Sequence, residues 1–291
     1  MRRLRIWALA TRPKTLLACI CPVAVGTFMA AQENHFHLTT AIFTFLGAIF
    51  IQVGTNFAND YFDFIKGADT HTRLGPTRAT QAGLVSPQSM KAAFCITFFL
   101  AFLSGIYLMV RGGWPIIAIG ICSIISGILY TGGPYPLAYM GLGDLFVLVF
   151  FGPIAVGGTY FLHTFSISME VLMIGLSIGL LATAILTVNN LRDVVQDQRA
   201  GKNTLVVKLG VRFGIQFYIA CILGASIIPP FLYLFTGNHS GLIVTLLTIL
   251  FAIPLFYQVN QSDRDLNPIL SKTAALLLIF TILLCVGYGL T

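Results

Sequence analysis

Residues 171–191, VLMIGLSIGLLATAILTVNNL, contain no Asp, Glu, Lys or Arg, and charge returns at once as Arg192-Asp193-Val194-Val195-Gln196-Asp197. A helix that crosses a bilayer needs about 20 consecutive apolar residues. This stretch therefore predicts a membrane span that ends in an acidic cluster. The rest of the chain repeats the pattern: 15–32, 34–59, 92–110, 112–143, 145–169, 213–262 and 273–291 are also free of those four residue types. Two stretches are long enough for two spans each, divided by the turn-forming residues Thr131-Gly132-Gly133-Pro134-Tyr135-Pro136 and Thr236-Gly237-Asn238-His239-Ser240-Gly241. Nine helices follow, at about 13–31, 38–59, 89–109, 114–130, 143–162, 169–190, 213–235, 241–258 and 271–290. The expected fold is an all-α polytopic membrane bundle, a single domain over residues 1–291.

Composition agrees. The chain is 57% hydrophobic and 9% charged, with a mean hydropathy of +0.88, whereas soluble domains carry roughly 25% charged residues. Too few charges exist to cover a water-soluble surface of this size. The six cysteines, Cys19, Cys21, Cys95, Cys122, Cys221 and Cys285, fall inside the expected spans and read as small apolar packing residues. The histidines show no ligand spacing.

With the N-terminus inside, nine spans place 16 of the 17 basic residues on one face and leave Arg111 alone on the other. That asymmetry follows the positive-inside rule. It accounts for the net charge of +7 through contact with anionic lipid, with no role for nucleic acid. The acids are just as uneven: all except Glu33 and Glu170 lie on the basic face. Acidic residues contribute little to orientation, so their placement needs another cause.

Two clusters supply it. Asn56-Phe57-Ala58-Asn59-Asp60-Tyr61-Phe62-Asp63 closes the second helix, and Asn189-Asn190-Leu191-Arg192-Asp193-Val194-Val195-Gln196-Asp197 closes the sixth. If the helices continue, Asn56, Asp60 and Asp63 share one face, as do Asn189, Asp193 and Asp197. Converging carboxylates repel by about 3 kcal/mol per pair at 5 Å in an effective dielectric near 20, so a cation must compensate. Oxygen-only donors suit Mg²⁺, which commonly binds through one or two carboxylates plus substrate phosphates. The expected metal ligands are Asn56, Asp60, Asp63, Asp193 and Asp197, around a diphosphate. Asn56, Asn59, Lys66, Arg73, Arg78, Asn189, Arg192 and Lys202 are the expected substrate-binding residues there, the basic ones because charged donors favour non-bridging oxygens and a leaving anion.

On these residues the chain resembles the UbiA superfamily of intramembrane aromatic prenyltransferases, which carries an NxxxDxxD motif after the second helix and a DxxxD motif after the sixth. Within it, the chain is most similar to the branch that prenylates 1,4-dihydroxy-2-naphthoate in menaquinone biosynthesis. The matching segments are Ala10-Thr11-Arg12-Pro13-Lys14-Thr15-Leu16, Asn59 to Asp63, Gly75-Pro76-Thr77-Arg78-Ala79, Phe151 to Gly158, Asn189 to Asp193, and Gly201-Lys202-Asn203-Thr204-Leu205. The resemblance implies Mg²⁺-dependent transfer of a polyprenyl chain from its diphosphate to the naphthoate with loss of CO2. It implies a multi-pass protein of the bacterial inner membrane, active on the cytoplasmic face. It makes Tyr130 a candidate contact for the diphosphate and Arg12 and Lys14 candidates for the acceptor's carboxylate, with Asp69 and Asp144 accessory. Related acceptors (4-hydroxybenzoate, haem, homogentisate, chlorophyllide) remain open. An ion-coupled transporter is the alternative of another class, although the acids stand at helix ends and not at mid-bilayer.

Overall fold

The computed structural model describes residues 2–67, 75, 78–261 and 265–290. Asp69, Arg73, Asp263 and Arg264 lie outside the described residues.

A short helix, α1 (Arg2–Ala10), leads through Arg12 into α2 (Pro13–Gln32). Arg12 is left-handed, with φ 52° and ψ 69°, a conformation that costs a non-glycine residue about 1–3 kcal/mol and turns the chain sharply between the two helices. Next come α3 (Leu38–Ile65) and α4 (Pro87–Leu129), which pack along each other. The 43 residues of α4 would span about 64 Å if straight, twice the roughly 30 Å hydrocarbon core. The helix breaks at Gly113, with φ 68° and ψ −157°. The long segment thus crosses twice, and the eight long apolar helices among the described residues give nine crossings.

Next are α5 (Leu137–Met140), α6 (Gly143–Val149), a π-helical turn (Phe150–Ile154) and α7 (Ala155–Thr164). Pro153 and the non-helical Gly152 produce the turn. It meets α8 (Met169–Arg199) backbone to backbone: a Cβ on Gly152 would lie 2.8 Å from the Gly175 carbonyl oxygen, and one on Gly175 2.8 Å from Pro153 Cα. The remaining elements are α9 (Leu205–Leu209), α10 (Val211–Thr236), a 3₁₀ turn (Ser240–Leu246), α11 (Leu247–Asn260) and α12 (Leu266–Gly289).

α8 lies at the centre of the bundle and packs against α6, the π-turn, α7, α10 and α12, its small residues Gly175 and Gly179 letting neighbouring backbone approach closely. Its Ile174, Ile178 and Leu181 are fully buried in the main core with Tyr218 and Phe280. Thr183 and Thr187 donate to carbonyls one turn back, at 2.8 and 2.9 Å, so their hydroxyls are satisfied inside that core. All six cysteines are free thiols.

Both acidic clusters are helical. α3 runs to Ile65 and α8 to Arg199, six and nine residues beyond the limits expected at 59 and 190. Helix propagates through the polar ends because tertiary contacts pair their side chains, described next.

Candidate active site

The C-terminal ends of α3 and α8 meet. A polar pocket of about 70 Å³ is lined by Asn59 and Asp63 from α3, Asn189, Asp193 and Asp197 from α8, and Arg12, Arg78, Tyr130, Asp144 and Lys202 around them. Beside it a much larger cavity of about 590 Å³ runs into the bundle. Arg12, Asn59, Arg78, Tyr130 and Asn189 line both and form the boundary between a charged head site and an apolar channel.

The carboxylates have distinct partners. Asp63 is 1% exposed and takes two cations: Arg78 Nη2 donates to Oδ2 at 3.0 Å, and Lys202 Nζ lies 2.9 Å from Oδ1. Since Lys202 follows α8, the second contact ties the two motifs together. Asp60 instead accepts from the backbone N–H groups of Ala79 at 3.0 Å and Thr80 at 3.1 Å. It holds the loop that presents Arg78 and lines the large cavity, not the polar pocket. On α8, Arg192 donates to both oxygens of its neighbour Asp193, from Nε at 2.7 Å and from Nη2 at 2.6 Å. It also donates to Asn189 Oδ1 at 2.6 Å and Asn267 Oδ1 at 3.3 Å. The fork geometry suits a guanidinium.

Of the other expected residues, Asn56 donates to the Thr11 carbonyl at 2.9 Å and the Thr15 hydroxyl at 3.2 Å, fastening α3 to the turn between α1 and α2. Lys66 lies outside the pocket lining. It donates to the carbonyls of Thr131 and Gly133 at 2.7 and 3.3 Å and sits 4.8 Å from the centre of the Tyr139 ring. Loss of hydration lowers its pKa, the Asp63 charge opposing and the Lys202 charge adding to that shift. Lys14 lines the large cavity and donates to Ser271 Oγ at 2.6 Å. Tyr130, capping α4, has its phenol pKa pushed well up, first by desolvation and then by Asp144, Asp197 and Asp63, and therefore remains a neutral O–H.

Sequence reading left some residues unassigned. Thr131 donates to Asn59 Oδ1 at 2.8 Å, and nothing in the sequence distinguishes it from other threonines. Asp144, accessory in that reading, is buried in the pocket wall at the start of α6. Its signal was a lone acid at a helix start on the basic face. Gln196 and Thr204 also line the pocket.

The donor set fits a hard cation shared with a substrate better than a self-contained metal cage. Among the described residues no three His, Cys, Asp or Glu side chains are grouped closely enough to hold a metal alone. Mg²⁺ does not require that, because one or two carboxylates together with phosphate oxygens and water complete its octahedron.

The family model described as UbiA prenyltransferase family matches residues 19–277. A 1,4-dihydroxy-2-naphthoate octaprenyltransferase of Haemophilus influenzae is 36% identical over 299 residues, covering 98% of this chain and 96% of its own length. The Escherichia coli protein of the same description is also 36% identical, over 298 residues, covering 99% and 96%. A UbiA homolog from Archaeoglobus fulgidus, solved bound to GPP and Mg²⁺, shares the fold with a TM-score of 0.71 at 14% identity, over 98% of this chain and 100% of that one.

Proposed function

The chain belongs to the UbiA prenyltransferase family and is an integral, multi-pass membrane prenyltransferase, and we propose that it transfers a polyprenyl chain from its diphosphate to 1,4-dihydroxy-2-naphthoate. Membership removes the transporter alternative. The observation that carries the proposal is the polar pocket where both aspartate motifs meet Arg78 and Lys202, continuous with an apolar cavity large enough for an isoprenoid tail. The naphthoate acceptor is supported by the two bacterial relatives named for that substrate.

In this reading Arg78 and Lys202 bind the diphosphate's non-bridging oxygens, and Tyr130 donates its neutral O–H to it. Asp63, Asp193 and Asp197, with Asp60 and Asn56 from α3, are the residues that would hold Mg²⁺, which would supply neutralisation of charge on the leaving group. Arg192 orients Asp193 and Asn189. The allylic C–O bond breaks and the diphosphate leaves with the bonding electrons. The acceptor carbon that bears the carboxylate attacks the allylic carbon, and the ring regains aromaticity as CO2 departs. The apolar cavity wall excludes water from the cation. Arg12 lies on the boundary between pocket and cavity, and in this reading it receives the acceptor's carboxylate; Lys14 lines the cavity at Ser271. The basic residues at the motif-bearing end support an orientation with this site on the cytoplasmic side of a bacterial inner membrane.

The test is mass analysis of products from purified protein offered several aromatic acceptors, with and without Mg²⁺. A prenylated, decarboxylated naphthalene product formed only with Mg²⁺ is expected. Product from 4-hydroxybenzoate and none from the naphthoate would reject the acceptor assignment.

A further inference from the structure

Arg111 is the single basic residue that the charge pattern leaves on the far face, and the orientation rule gives no reason for it. The structure gives one. Its Nε donates to the Leu162 carbonyl at 2.7 Å, and its guanidinium lies 4.9 Å from the centre of the Phe165 ring. Leu162 is in the last turn of α7, where carbonyls lack helical partners and the dipole favours a cation. The next residue is fixed as well: His163 Nδ1 accepts from the His37 backbone N–H at 3.2 Å, and the Phe36 ring stacks on it.

The Leu162 side chain turns into the large cavity, where it meets Leu108 and Ile116. These three are at most 8% exposed and form a hydrophobic cluster of their own, with Phe43 and Tyr107 behind them. The break in α4 presses its backbone onto the same group, since a Cβ on Gly112 would collide with Ile116 and stand 3.0 Å from Leu162 Cδ2. Asn59, at the polar pocket, and Thr44, beside Phe43, both line the cavity. They are 15 positions apart on α3 (59 − 44), which places the cluster about 22 Å below the charged site.

We infer that Leu108, Ile116 and Leu162, clamped by Arg111, form the floor of the donor-tail channel and set the longest prenyl chain that binds wholly within the bundle. This rests on the reading of the cavity as the prenyl donor's channel. Arg111 is a positioning residue here, acting through Leu162.

The experiment measures kcat/KM of the full chain in lipid nanodiscs across donors from geranyl to octaprenyl diphosphate. It is paired with the thermal stabilisation that each donor gives without acceptor. Leu162→Ala and Leu108→Ala should move both optima to longer donors, raising the long-to-short kcat/KM ratio by roughly tenfold or more, the lower end of what a hydrophobic pocket discriminates for one methylene. Arg111→Met should move them the same way, and Arg111→Lys should restore the original profile. Gly47 lines the cavity partway down, and a Cβ there meets no atom within 4 Å, so Gly47→Phe should shift both optima to shorter donors. Should Leu162→Ala fail to fold, Leu108→Ala and Gly47→Phe carry the same comparison. Length profiles that coincide between wild type and these variants would overturn the inference and show that tails leave sideways into lipid. Wild-type protein that transfers no donor at all would strike the prenyl-donor reading instead.

Discussion

Replacing Asp63 with Asn isolates the charge that joins the two motifs. The carboxylate is 1% exposed and faces Arg78 at 3.0 Å and Lys202 at 2.9 Å, cations whose side chains are 8% and 13% exposed. At 3 Å in an effective dielectric near 20, each pair attracts by about 5.5 kcal/mol, 332/(20 × 3.0). Desolvation offsets much of that, and breaking a buried pair costs about 3–5 kcal/mol net. One substitution here removes the carboxylate shared by two cations, so the loss should fall toward the upper end of that range. With that negative charge gone, the site should also bind an anion more readily. In detergent, the variant should unfold earlier than wild type. Inorganic diphosphate without Mg²⁺ should return more of the lost stability to the variant than it adds to wild type. Prenyl transfer should fall by about 100-fold or more, the scale of losing one charge-stabilising group. An Asp63→Asn protein as stable as wild type, with the same response to diphosphate, would refute the assignment of Asp63 as the partner of both cations.

Asp60→Asn keeps one of two acceptors for the Ala79 and Thr80 amides; it should cost about 1.5–3 kcal/mol, the scale for hydrogen bonds to a charged group. Hydrogen exchange at those two amides should accelerate, and unchanged protection would contradict the role. Arg192→Lys cannot span both Asp193 oxygens and Asn189; kcat/KM should drop by at least about tenfold, the equivalent of one 1.4 kcal/mol contact, and a variant of wild-type activity would count against orientation of Asp193. The Tyr130 phenol has a raised pKa in the fold. Its contribution to stability is therefore intact below the ordinary tyrosine value near 10 and declines only above it. Tyr130→Phe should lower transfer while leaving the pH profile between about 6 and 9 unmoved; a lost alkaline limb would mean that Tyr130 titrates there. Gly179→Val would drive a side chain into the Leu148 carbonyl and Gly152, and overpacking of that kind costs about 1–3 kcal/mol, readable as earlier thermal unfolding.

Sequence carried the membrane architecture because the bilayer leaves few alternatives: a charge-free stretch of span length has to be helical. The central place of α8 was not legible in residues 171–191, because lipid covers an apolar helix as readily as protein does and other spans are equally apolar. The pairing of the motifs was legible, from asparagine and aspartate repeating at matched helix ends on one face. Individual partners were not. Asp60 and Asp63 stand three positions apart, yet one binds backbone amides and the other binds cations. That outcome depends on where the loop around Ala79 folds back, which no local pattern encodes. Lys66 fits a diphosphate ligand by position but spends its donors on the Thr131 and Gly133 carbonyls. Arg73 lies outside the described residues. The break at Gly113 was anticipated as a gap between two helices, but its role in closing the channel required the side chains of Ile116 and Leu162.

The seam formed by Gly152, Gly175 and Gly179 has a mechanical consequence. Where backbone meets backbone no side chain can rotate to absorb displacement, so α8 and the segment beginning at Gly143 move as one body. That body carries the second motif together with Asp144. The first motif rides on the α3–α4 hairpin, whose tip is joined to this body by the contact between Asp63 and Lys202. Moving the first motif away from the second therefore requires that ion pair to break.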